Sequence, residues 1–267
     1  MYRKALLVIL IFFQISLAKE IDIYFLDVSE GESTLILTQN KKAVLIDTGN
    51  LYTGNNVVKF LKSLNIDHIE RLIITHPHLD HLGGVFTVLG NFKVKLKHDN
   101  GQSIDIKDDL YRWYSEIFRD KKYSALKKGD SFFIDSIKFK VLSPEKLTKD
   151  WNESSLVIMV IYGKTKILLM ADANKKTEKK LLSENIDLKA DLLKVGHHGA
   201  EDVLLEDFLE KISPEYAVIS INENNIRGYP SKRVVNMIKN KGIKLYITYK
   251  EGNIHFKSDG EKIWKVE

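Results

Sequence analysis

The stretch Thr75-His76-Pro77-His78-Leu79-Asp80-His81-Leu82-Gly83-Gly84 decides how the rest of this chain is read. Four metal-binding side chains fall within six residues, directly after the apolar run 71–75. In extended backbone, residues two apart project to the same side, so His76 and His78 face one point. Asp80 and His81 fall at the start of the helix that Leu82–Leu89 continue, and turn toward a second point nearby. Such a segment can serve two adjacent cations, and Gly83 and Gly84 let the backbone pass close to them. A lone His-x-His carries little information. Three histidines and an aspartate at this spacing are poorly explained as a chance polar loop.

Composition narrows the chemistry around that segment. The chain has 267 residues, eight histidines and no cysteine. Disulfide frameworks, disulfide-linked partners, thiolate zinc sites, iron–sulfur clusters and cysteine nucleophiles are therefore excluded. A metal here must be held by His, Asp, Glu or other oxygen ligands. With 44% hydrophobic residues the chain can bury a core, which rules out wholesale disorder. The net charge of +5 comes mostly from lysine, and a general lysine bias explains it as well as a polyanionic partner does.

Residues 1–18 read as a signal peptide. Arg3 and Lys4 form a basic start, Ala5–Ile15 is nearly all apolar, and Ser16-Leu17-Ala18 presents small residues for cleavage before Lys19. The apolar run is shorter than the roughly 20 residues a span needs, so an uncleaved membrane anchor is the lesser alternative. Residues 19–267 would then be one exported hydrolase domain, periplasmic or extracellular. Arg3 and Lys4 take two of the five net positive charges with them, leaving +3.

Periodicity predicts strands at 21–28, 34–37, 43–46, 71–75, 132–134, 137–142, 156–162, 166–170, 192–195, 216–219, 244–248, 254–257 and 262–266. It predicts helices over 57–64, 82–89, 109–118, 176–182, 203–212 and 231–240. Strands in two groups, each followed by helices, imply an α/β fold with two sheets between helical layers.

The histidine segment resembles the signature of the metallo-β-lactamase superfamily. Ile46-Asp47-Thr48-Gly49 and Asp172 agree with that family's motifs in order. Leu193-Lys194-Val195-Gly196-His197-His198-Gly199, Asp27-Val28 and Ser220-Ile221-Asn222 narrow the resemblance to the extracytoplasmic hydrolase domain of ComEC-type competence proteins. It covers about residues 21–260, without the membrane channel of those proteins. It implies a four-layer αββα sandwich with one active site at the mouth between the sheets. It also implies that His76 and His78 hold a first divalent metal, that Asp80 and His81 hold a second, and that Asp172 bridges them. One or two ions are implied, zinc first and manganese as the alternative.

Several positions depart from the family pattern. Asn152 stands where many members carry a third histidine for the first metal, as is common in ComEC-type members. Ala171 replaces a glycine before the bridging aspartate, Ala200 replaces a serine, and Ser29-Glu30-Gly31-Glu32 replaces Gly-Gln-Gly-Asp. Tyr229 stands where the family has a histidine able to ligate the second metal. A neutral phenol is a poor ligand near pH 7. Either the second ion binds more weakly, or His197 or His198 compensates.

Single residues carry open alternatives. Asp47 orients the histidine loop or caps a turn before Thr48-Gly49. His197 and His198 are adjacent and do not easily face one site together; His198 is the favoured one, as a catalytic group that stabilises charge or protonates the leaving group. His68, His98 and His255 match no motif. Leu110–Phe118 interleaves Tyr111, Trp113, Tyr114 and Phe118 with Arg112, followed by Arg119, Lys121 and Lys122. Such a segment can stack the bases of a single strand. The plainer reading is a helix with two packed faces, Leu110, Trp113 and Ile117 on one and Tyr111, Tyr114 and Phe118 on the other.

The expectation is an exported metal-dependent hydrolase using an activated water, with Asp80 also orienting that water. The resemblance implies a phosphodiester substrate, with DNA or another polyanionic phosphodiester as partner and a separate DNA-uptake channel beside it. The alternatives are hydrolysis of a cell-wall phosphodiester, lactone or β-lactam, and a metal- or nucleic-acid-binding module without turnover.

Overall fold

The structure, a computed structural model, describes residues 20–104 and 107–267. The expected signal peptide lies outside the described residues. Among those described, no helix is long and apolar enough to cross a membrane.

The chain first lays down β1 (Ile21–Phe25), β2 (Thr34–Leu37), β3 (Ala43–Ile46), β4 (His68–Ile73), β5 (Lys93–Asp99) and β6 (Tyr123–Ala125). It then builds a second sheet from β7 (Ser131–Ile134), β8 (Ile137–Ser143), β9 (Val157–Tyr162), β10 (Thr165–Leu169), β11 (Leu192–Lys194), β12 (Tyr216–Ile219) and β13 (Lys244–Ile247). β14 (Ile254–Ser258) and β15 (Ile263–Lys265) return to the first sheet. The orders are β15-β14-β1-β2-β3-β4-β5-β6 and β13-β12-β11-β10-β9-β8-β7. β3 to β6 run parallel, as do β10 to β13; the remaining neighbours are antiparallel.

The apolar residues of both sheets divide by strand alternation. Ile23, Phe25, Ile36, Val44 and Ile73 meet Phe139, Ile158, Val160, Ile167 and Val218 in a core between the sheets. The opposite face of the first sheet is covered by α1 (Gly54–Ser63), α3 (Val85–Asn91) and α4 (Asp109–Phe118), with α2 (Leu79–Leu82) at its end. The outer face of the second carries α5 (Lys175–Ser183), α6 (Glu206–Ile212) and α7 (Lys232–Asn240). α8 (Thr248–Glu251) links β13 to β14. This is the four-layer αββα arrangement expected from the sequence.

Two local expectations are corrected and two strands are added. The helix expected over 82–89 is interrupted by a turn at Gly83-Gly84, where the chain passes so close to Thr48 that a Cβ on Gly84 would lie 2.1 Å from the Thr48 carbonyl oxygen. β5 and β6 were not expected. In α4, Tyr114 and Phe118 are buried as one packed face requires, but Trp113 and Ile117 stand about half exposed, so the second face is not packed.

Candidate metal centre

The side chains singled out by sequence gather where parallel strands end at their carboxyl ends, the place at which open α/β sheets form binding crevices. β3 runs into Asp47 and β4 into the His76–His81 segment. β10 runs into Asp172, and β11 into a single 3₁₀ turn, His197–Gly199. The backbone is strained at these exits. Asp47, Ala171, His197 and His198 all have φ between 44° and 60°, a region L-residues with side chains seldom occupy. Ala171, where the resemblance expects a glycine, is among them at φ 48°.

Three overlapping donor sets converge, two of them built from residues singled out by sequence: His76, His78 and Asp172 form one; Asp80, His81 and His198 form the other. His76 Nε2 lies 2.9 Å from His78 Nδ1 and 3.6 Å from Asp172 Oδ2. His81 Nε2 lies 3.2 Å from Asp172 Oδ1, and His198 Nε2 lies 3.2 Å from Asp80 Oδ2 and 3.6 Å from Asp172 Oδ1. Asp172 therefore touches both subsets.

The imidazoles are aimed by their far sides. His81 Nδ1 donates to Asp47 Oδ2 at 2.7 Å, and Asp47 in turn accepts from the Thr75 amide and hydroxyl, each at 2.8 Å. His198 Nδ1 donates to the Ser220 carbonyl at 2.8 Å. With the proton committed to Nδ1, each ring turns Nε2 inward as a free donor atom. The loop carrying Asp80 is pinned by the Glu32 amide, which donates to the Asp80 carbonyl at 3.0 Å. Gly31 beside it has φ 126°, and a Cβ there would lie 2.3 Å from that same oxygen.

The electrostatics are those of a charged cluster removed from water. Burial alone would depress His81, but the carboxylates of Asp172 and Asp47 outweigh it and lift the imidazole well above its ordinary value. His198 is opposed by burial in the same way and raised by Asp172 and Asp80. Burial would raise Asp172 and Asp80, yet their imidazole partners hold both below the usual carboxylate range. His76 is equally buried and is pushed well down, chiefly by that burial and further by the positive charge of the facing His81.

A divalent cation fits these residues. Asp80 Oδ2, His81 Nε2, Asp172 Oδ1 and His198 Nε2 are all buried and lack a hydrogen-bond partner. The 3.2 Å approaches among them do not have hydrogen-bond alignment. Buried polar atoms left unpaired are costly, and four that point at one another are the donor set of a metal rather than of a folded core. His and carboxylate donors together suit zinc or manganese.

The two doubtful histidines take different sides. His198 is buried within the cluster. His197 lines the cleft above it, with Nδ1 3.0 Å from Asp202 Oδ1 and Nε2 3.3 Å from Asn152 Nδ2. Adjacency does not keep both from the site, because both residues adopt left-handed backbone. Asn152 lines the same cleft, its Oδ1 buried without a partner. Tyr229 packs edge-on against His197, with ring centroids 5.5 Å apart, and burial pushes its phenol up, further from the phenolate a metal would take. The cleft encloses about 600 Å³ and is also lined by Glu30, Leu51, Tyr52, Tyr111 and Arg227.

Sequence reasoning missed two residues at the centre. Glu32 lies with His81 and Asp172, and Lys194 is paired to it at 2.7 Å. In sequence Glu32 stands only as a variant of a family turn and Lys194 only as part of a motif; nothing local announces a pair 162 residues apart.

The family model of the metallo-beta-lactamase superfamily matches residues 27–221, which hold every residue of the centre and cleft described above except Arg227 and Tyr229. The chain belongs to the metallo-β-lactamase superfamily. Within it, the chain is 28% identical to ComE operon protein 3 of Bacillus subtilis over 93% of its length, and 30% identical to Recombination protein 2 of Haemophilus influenzae over 86%. It is 29% identical to Competence protein ComA of Neisseria gonorrhoeae, again over 86%. It spans 29–34% of the length of these relatives. The metallo-β-lactamase fold protein YhfI of Bacillus subtilis superposes with a TM-score of 0.61 at 10% identity, covering 90% of this chain and all of that one. CmlA, a diiron β-hydroxylase from Streptomyces venezuelae, superposes at 0.58 with 12% identity, covering 93% of this chain and 54% of its own. These two likenesses show the superfamily fold. Members of the superfamily are in general metal-dependent hydrolases.

Proposed function

We propose that this protein is an exported metal-dependent phosphodiesterase acting on DNA or another polyanionic phosphodiester. The observation that carries the reading is the set of four buried, unpartnered donor atoms on Asp80, His81, Asp172 and His198, with His76 and His78 beside them beneath an open cleft. The similarity to competence proteins over most of the chain supports a nucleic-acid substrate and a DNA-uptake channel as a separate partner. The leader-like sequence of residues 1–18 supports export.

His76, His78 and Asp172 would hold one cation, and Asp80, His81 and His198 a second, with Asp172 between them. When bound, the metal supplies Lewis-acid polarisation of a phosphoryl oxygen and acidification of water; zinc is the first choice and manganese the alternative. The protein's own groups supply the rest. Asp80 sits at the cleft floor, where its carboxylate accepts a hydrogen bond from the attacking water and orients it. Arg227 on the cleft wall, 3.8 Å from Glu30, is placed to neutralise a phosphate. His197, steadied by Asp202 and beside Asn152, lines the cleft, where its ring can contact a bound phosphate. Asp47 keeps the His81 ring in register throughout.

Hydrolysis assays on bis(p-nitrophenyl) phosphate, a lactone and a β-lactam test the reading, with zinc and manganese each supplied. Turnover of the phosphodiester alone, abolished by His76→Ala, is the expected result. Turnover of only the lactone or the β-lactam, or none on any substrate by metal-loaded protein, contradicts it.

A further inference from the structure

Lys194 is fully buried at the end of β11, and its ammonium donates to Glu32 Oε2 at 2.7 Å and to the Val195 carbonyl at 3.3 Å. Glu32 belongs to the other sheet, on the loop between β1 and β2, and is 2% exposed. A buried ion pair of this kind costs desolvation that a pair of apolar side chains would avoid, so its retention calls for a reason. The reason lies in what the carboxylate faces. A Glu32 oxygen, His81 and Asp172 present donor atoms all within 4.8 Å of one another. His81 Nε2 and Asp172 Oδ1 are two of the buried atoms with no hydrogen-bond partner. The Glu32 main chain is tied to the same place, since its amide donates to the Asp80 carbonyl and its carbonyl accepts from Gly49.

We infer that Glu32 is an additional metal-facing carboxylate of this centre, drawn to the His81–Asp172 side and held in position by Lys194. The inference rests on the reading that the centre binds metal. Lys194 shares the carboxylate with the cation. It takes one oxygen, Oε2, and adds a positive charge among the carboxylates of Asp47, Asp80 and Asp172. The variants at the two positions should therefore behave oppositely. Glu32→Gln keeps the shape and removes the charge that faces the cation. Lys194→Met leaves that charge buried and unpaired until a cation arrives.

The test is uptake of Co²⁺ by the full chain, followed by absorption spectroscopy, chelator competition and the rise in melting temperature on adding the ion. Glu32→Gln is expected to bind one ion about 10–100-fold more weakly, the range for loss of a group that tunes a metal site, with an altered cobalt spectrum. Lys194→Met is expected to melt lower than wild type without metal and to gain more than wild type when metal is added. If both variants lose affinity alike, or both match wild type, the pair is only a structural tie and the inference fails. If a variant does not fold unaided, refolding with and without Co²⁺ gives the same discrimination. Rescue of Lys194→Met but not Glu32→Gln supports the inference, and rescue of neither overturns it. Absence of Co²⁺ from wild type overturns the metal reading itself, whereas wild-type behaviour in Glu32→Gln overturns only the role of Glu32.

Discussion

His81 Nδ1 lies 2.7 Å from Asp47 Oδ2, and both side chains are completely buried. The bond joins the end of β3 to the histidine segment after β4, and it commits the His81 proton to the side away from the centre. Asp47→Asn keeps the shape and tolerates the left-handed backbone at this position. Its loss of charge should weaken metal affinity about 10–100-fold. Chelator competition on the purified variant checks this; unchanged affinity would reduce Asp47 to a turn cap.

His198 joins Asp80 and His81 as a third donor, while the Tyr229 ring packs against His197 instead. The subset Asp80, His81 and His198 already offers three donors, so Tyr229→His should not raise the number of ions bound. His198→Ala should lower it from two to one. Metal content measured by elemental analysis after dialysis distinguishes these outcomes. A Tyr229→His chain that gains an ion would show that the second subset is incomplete as built.

Much of this fold was legible in the sequence. The limits of β2, β3, α4 and β12 agree residue for residue with expectation; the three strands are short aliphatic runs with one period, and α4 keeps a helical apolar spacing although only one of its two expected faces packs. β5 was missed because Lys93, Lys95 and Lys97 alternate with Val94 and Leu96, and so many lysines look like a solvated loop. In the fold Lys97 is buried, its ammonium meeting the Ile117 carbonyl and Asp120. At the centre, the His76–His81 segment, Asp172 and Asp47 were readable from spacing and motif. The division of labour between His197 and His198 was not, since it depends on left-handed backbone at two residues that are not glycine. The Glu32–Lys194 pair was hidden by its sequence separation.

Glu178 gives a pH dependence away from the metal centre. Burial pushes its carboxyl up to about 7, against the hydrogen bonds it accepts from the amides of Leu204 and Leu205. Its folded value lies above the unfolded value of 4.5. The stability it contributes is therefore fully present below 4.5 and is lost as pH rises through about 7. Denaturant unfolding at pH 5 and pH 8 should show a larger fall for wild type than for Glu178→Gln. Equal falls would mean that the carboxyl titrates normally.

Arg227 should govern affinity rather than turnover. Removing a charged contact to phosphate costs about 1.5–3 kcal/mol, so Arg227→Ala should raise KM for an oligonucleotide roughly 10–100-fold. Its dependence on salt should become shallower. Steady-state kinetics at two salt concentrations check this, and an unchanged KM would place the substrate elsewhere.

The central claim is that this cleft cuts a phosphodiester with the His/Asp centre. Its most direct test is cleavage of end-labelled single- and double-stranded DNA by purified chain with zinc or manganese, beside His76→Ala and Asp80→Ala. Wild type should cleave in a metal-dependent manner, with both variants reduced to background. Cleavage by the variants at the wild-type rate, or none by wild type carrying two ions, would contradict it.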